Sequence, residues 1–82
     1  MNIVKGMIVK SKAGHDSGGF FIVTSVTGGF ATICDGKRRS IEKQKRKKLI
    51  HLCPTEEIVG LDTIKTNREI KRLLHKYNYK QG

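Results

Sequence analysis

Apolar and β-branched residues recur in short runs along the first two thirds of the chain, and glycine or a small polar turn cuts off each run. Met7-Ile8-Val9-Lys10-Ser11 favours a strand and ends at Lys12-Ala13-Gly14. His15-Asp16-Ser17-Gly18-Gly19 then reads as a loop, because its residues tolerate positive φ or cap turns. Phe20 to Val26 is the strongest strand signal, with β-branched and aromatic residues between paired glycines. Gly28-Gly29 signals a hairpin, and Phe30-Ala31-Thr32-Ile33-Cys34 is the returning strand. Asp35-Gly36 signals a second hairpin with a type I′ turn. The pattern then predicts a strand over Arg38 to Glu42 and a last one over Leu49 to Cys53, with Pro54 ending the strand region.

Five short strands at intervals of about ten residues suggest a small closed sheet of SH3-like form, since closure removes unpaired edges. A chain this short cannot cover both faces of a parallel sheet with helices. The expected fold is therefore mainly β, a five-stranded SH3-like barrel followed by one helix.

After Pro54 the period changes. Thr55 to Ile64 shows no clean repeat, but Ile70, Leu73, Leu74 and Tyr77 stand at i, i+3, i+4 and i+7. Thr66-Asn67-Arg68-Glu69 before them fits a capping box, with Thr66 capping the Glu69 amide and Glu69 reaching back. These signals predict a helix from about Asn67 to Asn78 whose apolar stripe docks on the barrel. Arg68, Lys71, Arg72 and Lys76 fall mostly on the other side and form a second, weaker basic surface. Residues 1–54 thus read as a barrel domain with a basic arm, and 55–82 as a connector and docked helix.

Size narrows the function. An 82-residue chain makes one domain with a minimal core, burying about 60% of its unfolded surface. A ligand pocket of roughly 300–1,000 Å³ would consume much of that interior, so catalysis is not expected. No Ser-His-Asp or Cys-His grouping stands out, and no catalytic residue or cofactor is assigned. His15, His51, His75, Cys34 and Cys53 lack zinc-finger spacing, so no metal site is expected either. The two cysteines read as small buried apolar residues in a reducing cytosol. The longest apolar run, Phe20 to Val23, falls far short of the roughly 20 residues a membrane span needs. The first residues lack a signal-peptide apolar region, and the expected location is cytoplasmic.

Charge changes the picture most. Seventeen Lys and Arg against seven Asp and Glu give a formal net charge of +10. From Lys37 to Lys48, eight of twelve residues are cationic and only Glu42 is acidic. Like charges this dense oppose folding, which points to a polyanionic partner. Lys45 to Lys48 read as an extended arm or loop. The candidate contacts are Lys12, Lys37, Arg38, Arg39, Lys43, Lys45, Arg46, Lys47, Lys48 and His51. In the first loop, Gly14, Asp16 and Gly18 have structural roles, with Asp16 bonding its own loop backbone. Phe20 and Phe21 point to opposite faces, so one belongs to the core; the other either stacks on a base or packs under the helix.

The segment from Met7 to Val23 resembles a KOW motif, a strand, a loop with Gly14, Asp16 and Gly18, and a second strand with Phe21 and Val23. With Cys34-Asp35-Gly36-Lys37-Arg38-Arg39 and Lys45-Arg46-Lys47-Lys48-Leu49-Ile50-His51-Leu52, the chain resembles small bacterial KOW-domain RNA-binding proteins. These are similar to archaeal and eukaryotic KOW-containing large-subunit ribosomal proteins. The likeness spans Gly6 to Leu52 and implies an SH3-like barrel that binds ribosomal or another structured RNA. Ribosomal proteins are further expected partners, a membrane is not, and the free protein is expected to be a monomer. The competing reading is a protein-interaction adaptor of the ribosome or transcription machinery, using the SH3-like surface or the helix while the charges steer encounter.

Overall fold

Alternation of apolar residues sorts the strands' side chains onto two faces, and both faces are buried. The computed structural model describes residues 2–78. Its strands are β1 (Met7–Ser11), β2 (Phe20–Thr27), β3 (Phe30–Cys34), β4 (Lys45–Lys48) and β5 (Leu52–Ile58), followed by the helix α1 (Asn67–Asn78). The strands form one antiparallel sheet in the order β4-β3-β2-β1-β5. On one face Met7, Val9, Phe21, Val23, Ile33 and Leu52 form a cluster against which Ile3 and Leu49 pack. On the other, Ile8, Ile22 and Cys34 meet Ile70 and Leu74 of α1. The helical stripe read from the sequence is thus the lid of the second face.

The capping box forms as expected. The Glu69 amide donates to Thr66 Oγ1 at 3.1 Å, and Glu69 Oε1 accepts from the Thr66 amide at 3.1 Å. The Lys65 amide also donates to Glu69 Oε1, at 2.9 Å. Bonds from the Lys65 and Thr66 amides hold the Glu69 carboxyl below its ordinary range. At the far end the Tyr77 hydroxyl donates to Glu57 Oε1 at 2.6 Å. Its ring lies 4.9 Å from that of Phe20. Asn78 completes the clasp, accepting from the Phe20 amide and donating to the Phe20 carbonyl. Phe21 is the core member of the pair and Phe20 packs under the helix.

Three expectations about strands need correction. No ladder joins β4 to β5 among the described residues, so the sheet is open rather than a closed barrel. After β4 a single 3₁₀ turn, Leu49–His51, leads into β5, which pairs with β1 and not β4, Leu52 opposite Ser11. Second, the strand expected over Arg38 to Glu42 is a loop followed by a 3₁₀ turn at Ile41–Lys43, and the expected arm is itself strand β4. Third, the last strand starts at Leu52 and runs through Pro54 to Ile58, and on it Cys53 is exposed rather than buried like Cys34. That strand lies at the sheet edge, where a residue without an N–H is tolerated.

The Asp35-Gly36 turn is not type I′ either, because Gly36 (φ +77°) has positive φ and Asp35 does not. The Asp35 carboxylate organises the loop instead, accepting from the Lys37 amide at 3.0 Å and the Arg39 amide at 2.9 Å. A side chain at Gly36 would put its Cβ 2.2 Å from the Asn67 carbonyl oxygen. Only glycine lets this loop lie against the start of α1. Asn67 then ties the next turn down, accepting from the Ile41 amide at 2.7 Å and donating to Glu42 at 2.9 Å.

Candidate nucleic-acid interface

Asp16 determines which cations stay inside. Its loop, between β1 and β2, turns through Gly14 (φ +74°) and Gly18 (φ +89°), carrying the carboxylate inward to 2% exposure. Burial of a lone carboxylate would cost several kcal/mol, so it must be paired. Arg39 supplies a fork, with Nε at 3.2 Å from Oδ1 and a terminal nitrogen at 3.1 Å from Oδ2. Lys47 Nζ lies 3.7 Å from Oδ2 and donates to the Ala13 carbonyl at 2.8 Å. Asp16 therefore forms ion pairs with two cations from distant segments, hydrogen-bonded to Arg39 and at longer range to Lys47. The expectation that it serves its own loop holds only for its backbone carbonyl, which accepts from the Gly19 amide.

The pairing divides the candidate cations. Lys47 is 8% exposed and its ammonium is engaged, so it does not share the accessibility of its neighbours. Arg39 is half-buried in the same cluster. Lys12, Lys37, Arg38, Lys43, Lys45, Arg46 and Lys48 are exposed. His51 is half-buried, and its carbonyl accepts from the Lys12 amide at 2.8 Å, which brings those two candidates together.

β4 presents its cations by strand geometry. Register pairs Phe30 with Lys48, Ala31 with Lys47, Thr32 with Arg46 and Ile33 with Lys45. Side chains alternate, so Lys47 turns to the core face beside Ala31, while Arg46 and Lys48 share the other face with Phe30 and Thr32. The Arg46 guanidinium sits 4.0 Å from the Phe30 ring centroid, a cation–π contact. Gln44 anchors the strand's start, accepting from the Thr24 hydroxyl and donating to the Ile41 carbonyl at 3.1 Å.

The loop after β3 presents its cations differently. Lys37 and Arg38 stand at the rim of a groove of about 370 Å³, which Ser17, Gly18, Gly19, Phe21, Asp35, Lys71 and Asn78 also line. Arg38 reaches the His15 carbonyl at 3.5 Å. Lys71, read in the sequence as part of a separate helical surface, thus joins the principal one. The groove, the Phe30–Arg46 contact and the inward turn of Lys47 all escaped sequence reasoning. Four successive cations carry no mark of which one turns inward, and only the register with β3 sets it.

Other carboxylates have partners of their own. Asp35 and Glu69 accept backbone amides, Glu42 accepts from Asn67, and Glu57 serves Tyr77 and Lys76. The Asn67 bond keeps the Glu42 carboxyl below its ordinary range, and the Tyr77 bond does the same for Glu57. Among the described residues no His, Cys, Asp and Glu group could hold a metal ion, and no helix is long and apolar enough to cross a membrane. No protein-family model matches the chain, and no curated protein matches it significantly.

Proposed function

We propose that this protein is a non-catalytic RNA-binding module of the KOW type, and that its open sheet is a variant of the SH3-like barrel. The strand order, the 3₁₀ turn before β5 and the cluster enclosed on one face support the SH3-like reading. A β1–β2 loop built on Gly14, Asp16 and Gly18 supports the KOW reading. Ribosomal RNA or another structured RNA is the proposed partner, and its phosphates are the groups bound.

One observation carries the reading. The fold commits only Arg39 and Lys47 of the basic run to its buried carboxylate, and holds the rest exposed on a braced loop and a paired strand. Cations kept together at this density are electrostatically costly unless they meet phosphate. Phosphate contacts release condensed counterions, so affinity should depend steeply on salt. With roughly four or five phosphates neutralised, log K against log salt should have a slope of about −4 on duplex RNA. Fluorescence anisotropy with a labelled ribosomal RNA hairpin measures it. The combined change Lys45→Gln, Arg46→Gln and Lys48→Gln should flatten the slope by about two to three without lowering the melting temperature. A slope near zero in the unaltered protein would reject the electrostatic mechanism, and partner capture that survives nuclease treatment would favour a protein adaptor instead.

A further inference from the structure

The groove between the two loops and α1 differs in kind from the basic strand. Three separate segments build its walls: Ser17 to Gly19 before β2, Asp35 to Arg38 after β3, and Lys71 and Asn78 of the helix. None of these walls is incidental. Gly36 lets the second loop lie against α1, Asn78 clasps Phe20, and the Asp35 carboxylate fixes the positions of the Lys37 and Arg39 amides. The groove is therefore preorganised by packing and by bonds to backbone groups.

Its size and chemistry exceed what a phosphate alone requires. About 370 Å³ lies within the range of small-ligand sites rather than of a single anion. Arg38 and Lys71 bring cationic groups to the lining, which suits a phosphodiester. Asp35 brings a carboxylate, which would repel a phosphate but can accept hydrogen bonds from a ribose hydroxyl or a base amino group. Phe21 lies in the lining, and Gly18 and Gly19 offer a surface without side chains. Cationic groups, a carboxylate acceptor and glycines without side chains line one groove, and these are the kinds of contact that the parts of one nucleotide take.

We infer that this groove binds a single unpaired ribonucleotide, so that the protein selects bulged or looped RNA over continuous duplex. The inference rests on the RNA-binding function proposed above. A paired base has its edges engaged and cannot enter such a groove, whereas bulges and loops splay bases out. The β4 cations hold the flanking phosphates whatever their sequence or pairing, and the groove supplies the discrimination.

The test compares a fully paired RNA duplex with the same duplex carrying one unpaired nucleotide, by anisotropy at fixed salt. The unaltered protein should prefer the bulged RNA about tenfold, the scale expected of one accommodated base. Arg38→Gln with Lys71→Gln should abolish the preference while duplex binding falls far less. Ser17→Leu narrows the groove without removing a charge and should also abolish it. Lys45→Gln with Lys48→Gln should weaken both RNAs by the same factor and leave the preference intact. Amide resonances of Gly18 and Gly19 should move with the bulged RNA and stay still with the duplex. Equal affinity for the two RNAs, or a preference that survives both groove variants, overturns the inference and leaves the proposed function standing. Failure to bind either RNA overturns both.

Discussion

The two halves of the basic run solve the same electrostatic problem by different means. In the loop half, Asp35 to Arg39, conformation comes from one side chain accepting two amides and from a glycine set against the helix. In the strand half, Lys45 to Lys48, it comes from backbone pairing with β3. Each half turns one cation inward to Asp16, Arg39 from the loop and Lys47 from the strand. The loop therefore depends on particular residues, while the strand depends mainly on period and register. Substitutions should fall unequally on the two.

The largest effect belongs to the carboxylate they share. Asp16→Ala leaves two inward cations without a partner and should cost about 3–5 kcal/mol of stability by urea denaturation. Both halves should loosen together, seen as amide shift changes in the loop and in β4. Gly36→Ala comes next, at about 3 kcal/mol, from a positive φ and a Cβ forced onto the Asn67 carbonyl. Its shift changes should stay in the loop and the start of α1. Disturbance of β4 as large as that of the loop would show that the halves are not separable.

A third effect is read by pH. Burial, and then the nearby Asp35 charge, push the Cys34 thiol up from 9.0 to about 11. The folded protein keeps that proton longer than the unfolded chain, so this contribution is complete below pH 9.0 and is lost as pH rises toward about 11. The loss should be about 2 kcal/mol. Cys34→Ala should flatten the alkaline decline in melting temperature, and an unchanged decline would assign it elsewhere. The smallest change is in the strand half. Phe30→Leu keeps apolar bulk but removes the ring under Arg46, and should weaken RNA binding by about 0.5–1 kcal/mol. Phe30→Tyr should preserve it.

Legibility in the sequence followed the same division. Local signals survived folding: the Thr66–Glu69 box, the stripe of Ile70 and Leu74, and the strands between paired glycines all form as their patterns predict. Those features depend on residues a few positions apart. An Asp-Gly pair serves an Asx-type loop as well as a type I′ turn, so the turn type after Asp35 is not settled by its own residues. The choice was made by α1, some thirty residues downstream, whose first turn leaves room only for Gly36. The strand Lys45–Lys48 was hidden because a run of cations carries no apolar alternation. Its pairing partner β3 imposes the register instead. Most of the candidate residues were legible as charge, but the inward turn of Arg39 and Lys47 was not. Their common partner lies 23 residues from the first and 31 from the second.

The open sheet leaves two strand edges, and their composition bears on how the protein behaves when concentrated. A second copy approaching β4 along its free edge would bring a second Lys-Arg-Lys-Lys strand against the first, and the repulsion would oppose pairing. At the opposite edge, Pro54 interrupts the donors that an incoming strand would need. Both edges are thus guarded against the growth of ordered aggregates, one by charge and one by a missing N–H. Salt that screens β4 leaves Pro54 untouched, so the two safeguards do not fail together.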